Sequence, residues 1–305
     1  MAVWSSDPAR EAPTARPVPV SKQAVDGRRA RAAAESPSDA IALAGRPTEG
    51  LAVHLLGPFR VEVYARPAAP WNGNKAKAIF RYLVVHRRQK VPKEVLMEAL
   101  WPGSEPEAAR VSLKVAVSSL RRSLSAPVGE LTGSHEWVVS EGDTYQLEPG
   151  LPVWVDAEEF EAQSLLAQGL ERQGALEASV KSYRQAVALY AGDFLEENPY
   201  DEWTILERER LRDLYLQDLT QLSRHLVEMA EWQDAILYQH KILAVDACQE
   251  ETYRQLMISH AALGQLGRVR QVHSICHQVL RKELDSTPSQ ELDALLIKLT
   301  SGADK

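Results

Sequence analysis

Cationic and polar residues recur at helical spacing within residues 104–124 of the 305-residue chain. Steps of four, four and three residues place one set on a single helix face: Arg110, Lys114, Ser118 and Arg121. A second face carries an apolar stripe: Leu113, Ala116, Val117, Leu120 and Leu124. Arginine can bind guanine through two parallel hydrogen bonds, and lysine is a less directional donor. The pattern therefore predicts a nucleic-acid contact, with a solvated charged face as the alternative.

Charge is divided unevenly along the chain, whose formal net charge is −7 at pH 7. Residues 51–125 hold 13 basic and 5 acidic side chains, a net charge of +8. Residues 151–305 hold 15 basic and 26 acidic side chains, a net charge of −11. A basic segment around the cationic stripe favours nucleic-acid binding. The acidic remainder would be repelled by phosphates, so it is expected to meet other partners.

The segments around this stripe indicate a winged-helix domain in residues 51–150. Strands are predicted over residues 51–56 and 59–64, because a Gly-Pro turn separates two apolar runs. The third helix is expected to begin at Ser104, where Ser-x-x-Glu has the form of a capping box. Residues 137–147 predict a β-hairpin wing. The three helices are predicted over residues 75–87, 93–101 and 104–124.

Two lysines lie in the first turn of the first predicted helix. Lys75 and Lys77 lie at the start of a helix, where cations are electrostatically disfavoured. This placement indicates a nearby anion such as a DNA phosphate, and ordinary surface lysines are equally compatible with it. Trp71, just before them, is expected to pack on the domain core.

The two ends of the chain differ in pattern. Residues 1–50 contain six prolines and no apolar periodicity, so this tail is expected to be disordered. Residues 151–305 are almost entirely helical in period, and similar residues recur 34 positions apart. A period of 34 residues is typical of tetratricopeptide repeats. The repeated pairs include Leu219 with Tyr253, Leu222 with Leu256, Ala230 with Gly264, Ala235 with Val269, and Ile242 with Cys276.

No pattern in the sequence supports catalysis. A Gly-x4-Gly-Lys-Ser/Thr phosphate loop is absent, and no nucleophile stands beside a base motif. His273 and His277 have the i, i+4 spacing that can hold a metal. Cys276 between them occupies an apolar repeat position, however, and no third ligand is evident nearby. We predict no enzymatic activity, no cofactor and no metal, with Cys248 and Cys276 as reduced thiols.

Several motifs resemble those of the Streptomyces antibiotic regulatory protein (SARP) family. In the first half they are LGPF at residues 56–59, LWPG at 100–103 and ARVSLKVAVSSLRR at 109–122. In the second half they include LYAGDFL at residues 189–195 and YRQLM at 253–257. The wing differs, because DTYQL at residues 143–147 stands where the family often has Gly-Tyr-Arg-Leu, which removes one possible phosphate contact.

The resemblance covers residues 51–300 and implies both fold and function. It implies a response-regulator-type winged helix followed by a bacterial transcriptional activator domain with tetratricopeptide-like repeats. It also implies that two protomers bind direct repeats in double-stranded promoter DNA and contact RNA polymerase holoenzyme.

The predicted fold is an α+β winged helix-turn-helix domain over residues 51–150 and an all-α tetratricopeptide-like helical-repeat domain over residues 151–305. The predicted function is sequence-specific DNA binding that regulates transcription in the cytoplasm, as an activator. No membrane partner is predicted, since no run of about 20 apolar residues occurs. The alternative is a protein-interaction scaffold whose winged helix does not bind DNA. The candidate DNA-binding residues are Arg110, Lys114, Ser118, Arg121, Arg122, Lys75, Lys77 and Thr144.

Overall fold

The computed structural model describes residues 49–127 and 136–301. Of the predicted disordered tail, residues 1–48 lie outside the described residues. The described part begins with a small α+β region and continues as helices only, which confirms the predicted fold class. Within these two ranges, no helix is both long and apolar enough to cross a membrane.

Two small sheets and three helices form the front region. Its elements in chain order are β1 (Leu51–His54), β2 (Arg60–Val63), β3 (Arg66–Pro67), α1 (Asn74–Val85), β4 (Val91–Pro92), α2 (Lys93–Leu100), α3 (Pro106–Ser125), β5 (Val138–Glu141), β6 (Thr144–Leu147) and β7 (Val153–Val155). The first sheet has the order β3-β2-β1-β7, and β1 runs parallel to β7. Because β7 lies beyond residue 150, this sheet ties the front of the chain to the helices that follow.

The three helices and the hairpin confirm the predicted winged-helix pattern. Every residue of the predicted apolar stripe of α3 is buried. Strands β5 and β6 pair antiparallel, with Glu141 opposite Thr144. Gly142 in the turn between them has φ 57°, a left-handed conformation that glycine adopts without strain. Strand β4 pairs with β6, so the wing is held to the segment between α1 and α2.

The start of α3 corrects the predicted capping box. Ser104 is not the N-cap; the cap is Glu105, whose carboxylate accepts a hydrogen bond of 3.0 Å from the backbone N–H of Ala108. Pro106 follows as the first helical residue. A backbone N–H at this position has no partner within the helix, so proline loses no hydrogen bond there. The proline therefore determines where the helix begins, and the helix starts later than the capping box predicts.

The rear region consists of seven helices within the described residues. They are α4 (Asp156–Arg172), α5 (Leu176–Leu189), α6 (Glu202–Glu228), α7 (Trp232–Val245), α8 (Glu250–Ala262), α9 (Leu266–Leu284) and α10 (Gln290–Ser301). Each packs on its neighbour in the chain, as helical repeats do. The predicted 34-residue repeat is confirmed, because Leu222, Leu256, Ala235 and Val269 are all buried.

The turns between paired helices give a stability prediction. Ala230, Gly174 and Gly264 all have positive φ, at 59°, 74° and 70°, and only Ala230 carries a Cβ that this conformation disfavours. We expect Ala230→Gly to raise the free energy of unfolding by about 1 kcal/mol, measured by urea denaturation of the full chain. The control, Ala162→Gly at an exposed position inside α4, should lower it by a similar amount, because glycine weakens a helix interior. A destabilised Ala230→Gly variant would contradict the argument.

One hydrophobic core joins the front and rear regions. A cluster of buried residues extends from Leu51 in β1 to Ile242 in α7, and it includes Trp137 and Phe160. Trp71 packs against this cluster, as predicted. A second cluster extends from Tyr253 to Leu292 and holds the last three helices together. The winged helix therefore does not have a core separate from that of the first helical repeats.

Candidate nucleic-acid interface

The outer face of α3 carries most of the predicted DNA-binding residues. The structure leaves four of them exposed to solvent: Arg110, Lys114, Ser118 and Arg122. The buried residues of the helix occupy the opposite face. Arg110 makes a long ion pair, 3.9 Å, with Glu107 one turn earlier. Long cationic side chains on this face are therefore positioned to reach a polyanion.

Two exposed valines on the same face were not among the residues predicted from the sequence. The side chains of Val111 and Val115 are 60% and 65% exposed and lie beside Lys114 and Ser118. Apolar side chains on a recognition helix can contact the methyl group of thymine. The signal was present in the sequence, because both valines fall outside the apolar stripe and on the polar side of the helix. The face thus combines cationic, hydroxyl and apolar groups.

Arg121 is positioned differently from the other arginines. Its Nε donates a 2.9 Å hydrogen bond to the carbonyl oxygen of Val138, and its guanidinium lies 2.9 Å from the carboxylate of Glu136. Both partners precede or begin β5, the first strand of the wing. Arg121 therefore holds the wing against α3, and its guanidinium is not directed outward like that of an exposed residue.

The two lysines of α1 have partners inside the protein. Lys75 donates to the carbonyl oxygen of Leu100 at the end of α2, a helix end that favours a cation. Lys77 forms an ion pair with Glu197 of the rear region. Lys75 is thus paired with a neutral carbonyl oxygen, and Lys77 with a carboxylate of the same chain. We therefore leave both lysines out of the proposed DNA contact.

The wing presents acidic and basic groups together at its tip. Lys90 lies 2.7 Å from the carboxylate of Glu141, and Lys93 lies 3.5 Å from that of Asp143. Thr144 donates its hydroxyl to the carbonyl oxygen of Glu141 at 2.7 Å, which closes the turn. The hydroxyl of Thr144 thus stabilises the hairpin. The carboxylates at the tip would weaken an approach to phosphates, in keeping with the missing arginine of the wing motif.

The front region is fastened to the rear region by a junction, defined here as residues 55–57, Arg81, Asp156 and the segment 191–198. Leu195 donates its backbone N–H to the carbonyl oxygen of Leu55 at 2.8 Å, and Gly57 donates to that of Asp193 at 3.1 Å. These bonds place the segment directly beside the turn that follows β1.

Arg81 of α1 reinforces the junction. It is 3% exposed, and its guanidinium binds Glu197 and Asn198. Burial lowers the pKa of this guanidinium, and the carboxylate of Glu197 opposes that effect. A buried arginine is tolerated only when it is paired, so these contacts hold the two regions in a defined arrangement.

Comparisons with known proteins identify the rear region. Residues 155–299 match the family described as the bacterial transcriptional activator domain. The match extends from the end of β7 to the last helix and spans just under half of the chain. Transcriptional regulatory protein MoaR1 of Mycobacterium tuberculosis is 22% identical over 246 residues, which cover 81% of this chain and 78% of MoaR1. Transcriptional regulatory protein EmbR of Mycobacterium bovis is 36% identical over 70 residues, which cover 23% of this chain and 18% of EmbR.

A solved structure shares the fold of both regions. Mycobacterium tuberculosis EmbR, in complex with a low affinity phosphopeptide, matches with a TM-score of 0.64 and 19% identity. The match covers 83% of this chain and 66% of the EmbR chain, so about a third of EmbR lies outside it. The activator-domain match and the similarity to MoaR1 agree with the predicted resemblance to SARP-like transcriptional regulators.

Proposed function

We propose that this regulator binds promoter DNA sequence-specifically through the outer face of α3 and activates transcription. The observation that carries the proposal is the division of α3 into a wholly buried apolar face and an exposed face with Arg110, Lys114, Ser118 and Arg122. A helix of this kind fits the major groove, where side chains can reach base edges. Val111 and Val115 add apolar contacts that suit thymine.

The net charges of the two regions support a division of tasks. The front region, residues 51–150, supplies the DNA contact. The acidic activator domain, residues 151–305, is directed away from DNA and meets RNA polymerase holoenzyme and a second protomer on an adjacent repeat, as the family resemblance implies. Such a regulator acts in the cytoplasm. The junction holds α3 in a defined position relative to the activator domain, because the winged helix and the activator domain share one core.

Lys114 tests the proposed DNA contact most directly. We expect Lys114→Ala to weaken binding to a promoter site by about 5- to 150-fold if the ammonium group contacts a base, since such a contact contributes about 1–3 kcal/mol. If it contacts a phosphate, binding to all sequences should weaken alike, and the salt dependence should fall by about one unit. Fluorescence anisotropy with duplexes recovered by genome-wide mapping of bound sites would measure both effects.

The matched control is Lys181→Ala, which removes an exposed lysine from α5 of the activator domain. It should leave DNA affinity unchanged. Wild-type affinity in Lys114→Ala would show that α3 is not the recognition helix. If the intact protein binds neither mapped sites nor random duplex DNA at low salt, the protein-interaction scaffold becomes the better account of the chain.

A further inference from the structure

Three side chains with metal-binding chemistry meet where the last two helices pack. His273 and His277 are one turn apart on α9, and their rings are 4.9 Å apart. Asp293 lies in the first turn of α10. Its Oδ1 is 2.7 Å from Nε2 of His273 and 3.5 Å from Nε2 of His277. One ligand atom from each residue falls within 4.8 Å of the other two.

We propose that His273, His277 and Asp293 bind a divalent transition-metal ion such as Zn²⁺. Two imidazole nitrogens and one carboxylate oxygen are ligands that Zn²⁺ accepts, and a site with three protein ligands leaves one position for water. With metal–ligand bonds of about 2.0 Å, tetrahedral ligands lie about 3.3 Å apart. The distances from Oδ1 of Asp293 to the two Nε2 atoms, 2.7 and 3.5 Å, lie on either side of that value. Small side-chain rotations would therefore make room for the ion.

The surroundings of the cluster suit a bound ion. Cys276 on the same helix is buried in the second core cluster, so it keeps that turn of α9 in place without competing as a ligand. The side chains of His273 and His277 are 15% and 40% exposed and that of Asp293 is 52% exposed, so the cluster lies at the rim of the core and is open to solvent. An ion can therefore enter without unfolding the repeat.

The position of the cluster gives the ion a structural role. Helix α10 closes the last repeat, and Leu292, next to Asp293, is fully buried against the second core cluster. Two ligands from α9 and one from α10 would fasten this closing helix to its neighbour. Since an ion that binds only the folded arrangement stabilises it, metal should strengthen the end of the activator domain.

The experiment uses the full chain after removal of metal with EDTA. Titration with Zn²⁺ in a calorimeter should show one saturable site per chain, and thermal unfolding should move to a higher midpoint with added Zn²⁺. His277→Gln and Asp293→Asn should each weaken binding by at least about tenfold, since even groups that only orient a ligand contribute factors of that size. Both residues lie at the surface, so circular dichroism should show an unchanged helical fold.

The matched control is His240→Gln, which alters an exposed histidine on α7. It should keep the stoichiometry, the affinity and the thermal shift of the wild type. The proposal is overturned if the wild type shows no saturable site, or if His277→Gln and Asp293→Asn bind Zn²⁺ as tightly as His240→Gln does.

Discussion

Replacing Asp156 with alanine is expected to lower the free energy of unfolding by about 2–6 kcal/mol, because it leaves two buried backbone N–H groups without acceptors. Asp156 is the first residue of α4 and is 2% exposed. Its carboxylate accepts hydrogen bonds from the backbone N–H groups of Leu55 at 2.7 Å and Leu56 at 3.0 Å. One side chain thereby accepts two backbone hydrogen bonds from the turn after β1 and fastens that turn to the first helix of the rear region.

Urea denaturation of the full chain would measure this loss as a lower midpoint. The matched control is Asp213→Ala, which removes an exposed aspartate from α6 and should change stability by less than about 0.5 kcal/mol. Asp156→Asn should lie between the two, because its amide keeps one acceptor oxygen. An Asp156→Ala variant that unfolds at the wild-type midpoint would refute the assigned role.

The same residue predicts a dependence of stability on pH. Burial raises the pKa of Asp156 to about 6, and the hydrogen bonds from Leu55, Leu56 and Ala157 act against that rise. The folded protein therefore holds a proton on Asp156 at pH values where the unfolded chain has lost it. The free energy of unfolding should decline as the pH rises from about 4 to about 6, and Asp156→Ala should lack this contribution.

Replacing Gly57 with alanine is expected to lower the free energy of unfolding by about 2–5 kcal/mol. Gly57 has φ 85°, which disfavours any residue with a Cβ by about 1–2 kcal/mol. A Cβ there would also lie 3.1 Å from the backbone of Ala191 and Gly192. Overpacking of this kind contributes about 1–3 kcal/mol more. The penalty falls on the junction, and because the two regions share one core, the whole variant should unfold at a lower urea midpoint than the wild type.

Gly103 provides the matched control for Gly57. It also has positive φ, 71°, but a Cβ there would meet no atom within 4 Å. Gly103→Ala therefore introduces backbone strain without a close contact. The difference between the urea midpoints of the two variants measures the destabilisation that the close contact at the junction adds. Equal losses in the two variants would mean that the close approach of Gly57 and Gly192 contributes nothing to stability.

The junction also determines how fragments of the chain are expected to behave. A cut at residue 150 would remove β7 from the sheet. It would also remove Asp156, whose carboxylate accepts a hydrogen bond from the backbone N–H of Leu55 in the turn after β1. It would also divide a core that extends from Leu51 to Ile242. We therefore expect the regulator to fold as a joined pair of regions, and experiments on its function require the full chain.

The sequence by itself determined which face of α3 and of the repeat helices α6 and α8 is buried. The stripe containing Leu113 and Leu120 is inside, and the repeat partners Leu222 and Leu256 are inside, because the burial of a helix face depends on a spacing of three and four residues along one segment. The cationic face of α3 could be predicted for the same reason. Val111 and Val115 were overlooked on that face, although the same spacing places them there.

Only the tertiary structure decided which partner each long side chain meets. Lys77 contacts a carboxylate 120 residues further along the chain, Arg121 turns toward the wing, and Asp156 reaches back 101 residues to Leu55. The third member of the His273 and His277 cluster likewise comes from another helix. Local periodicity carries no information about such pairs, because they depend on how separate elements pack, and the packing of the whole core sets those distances.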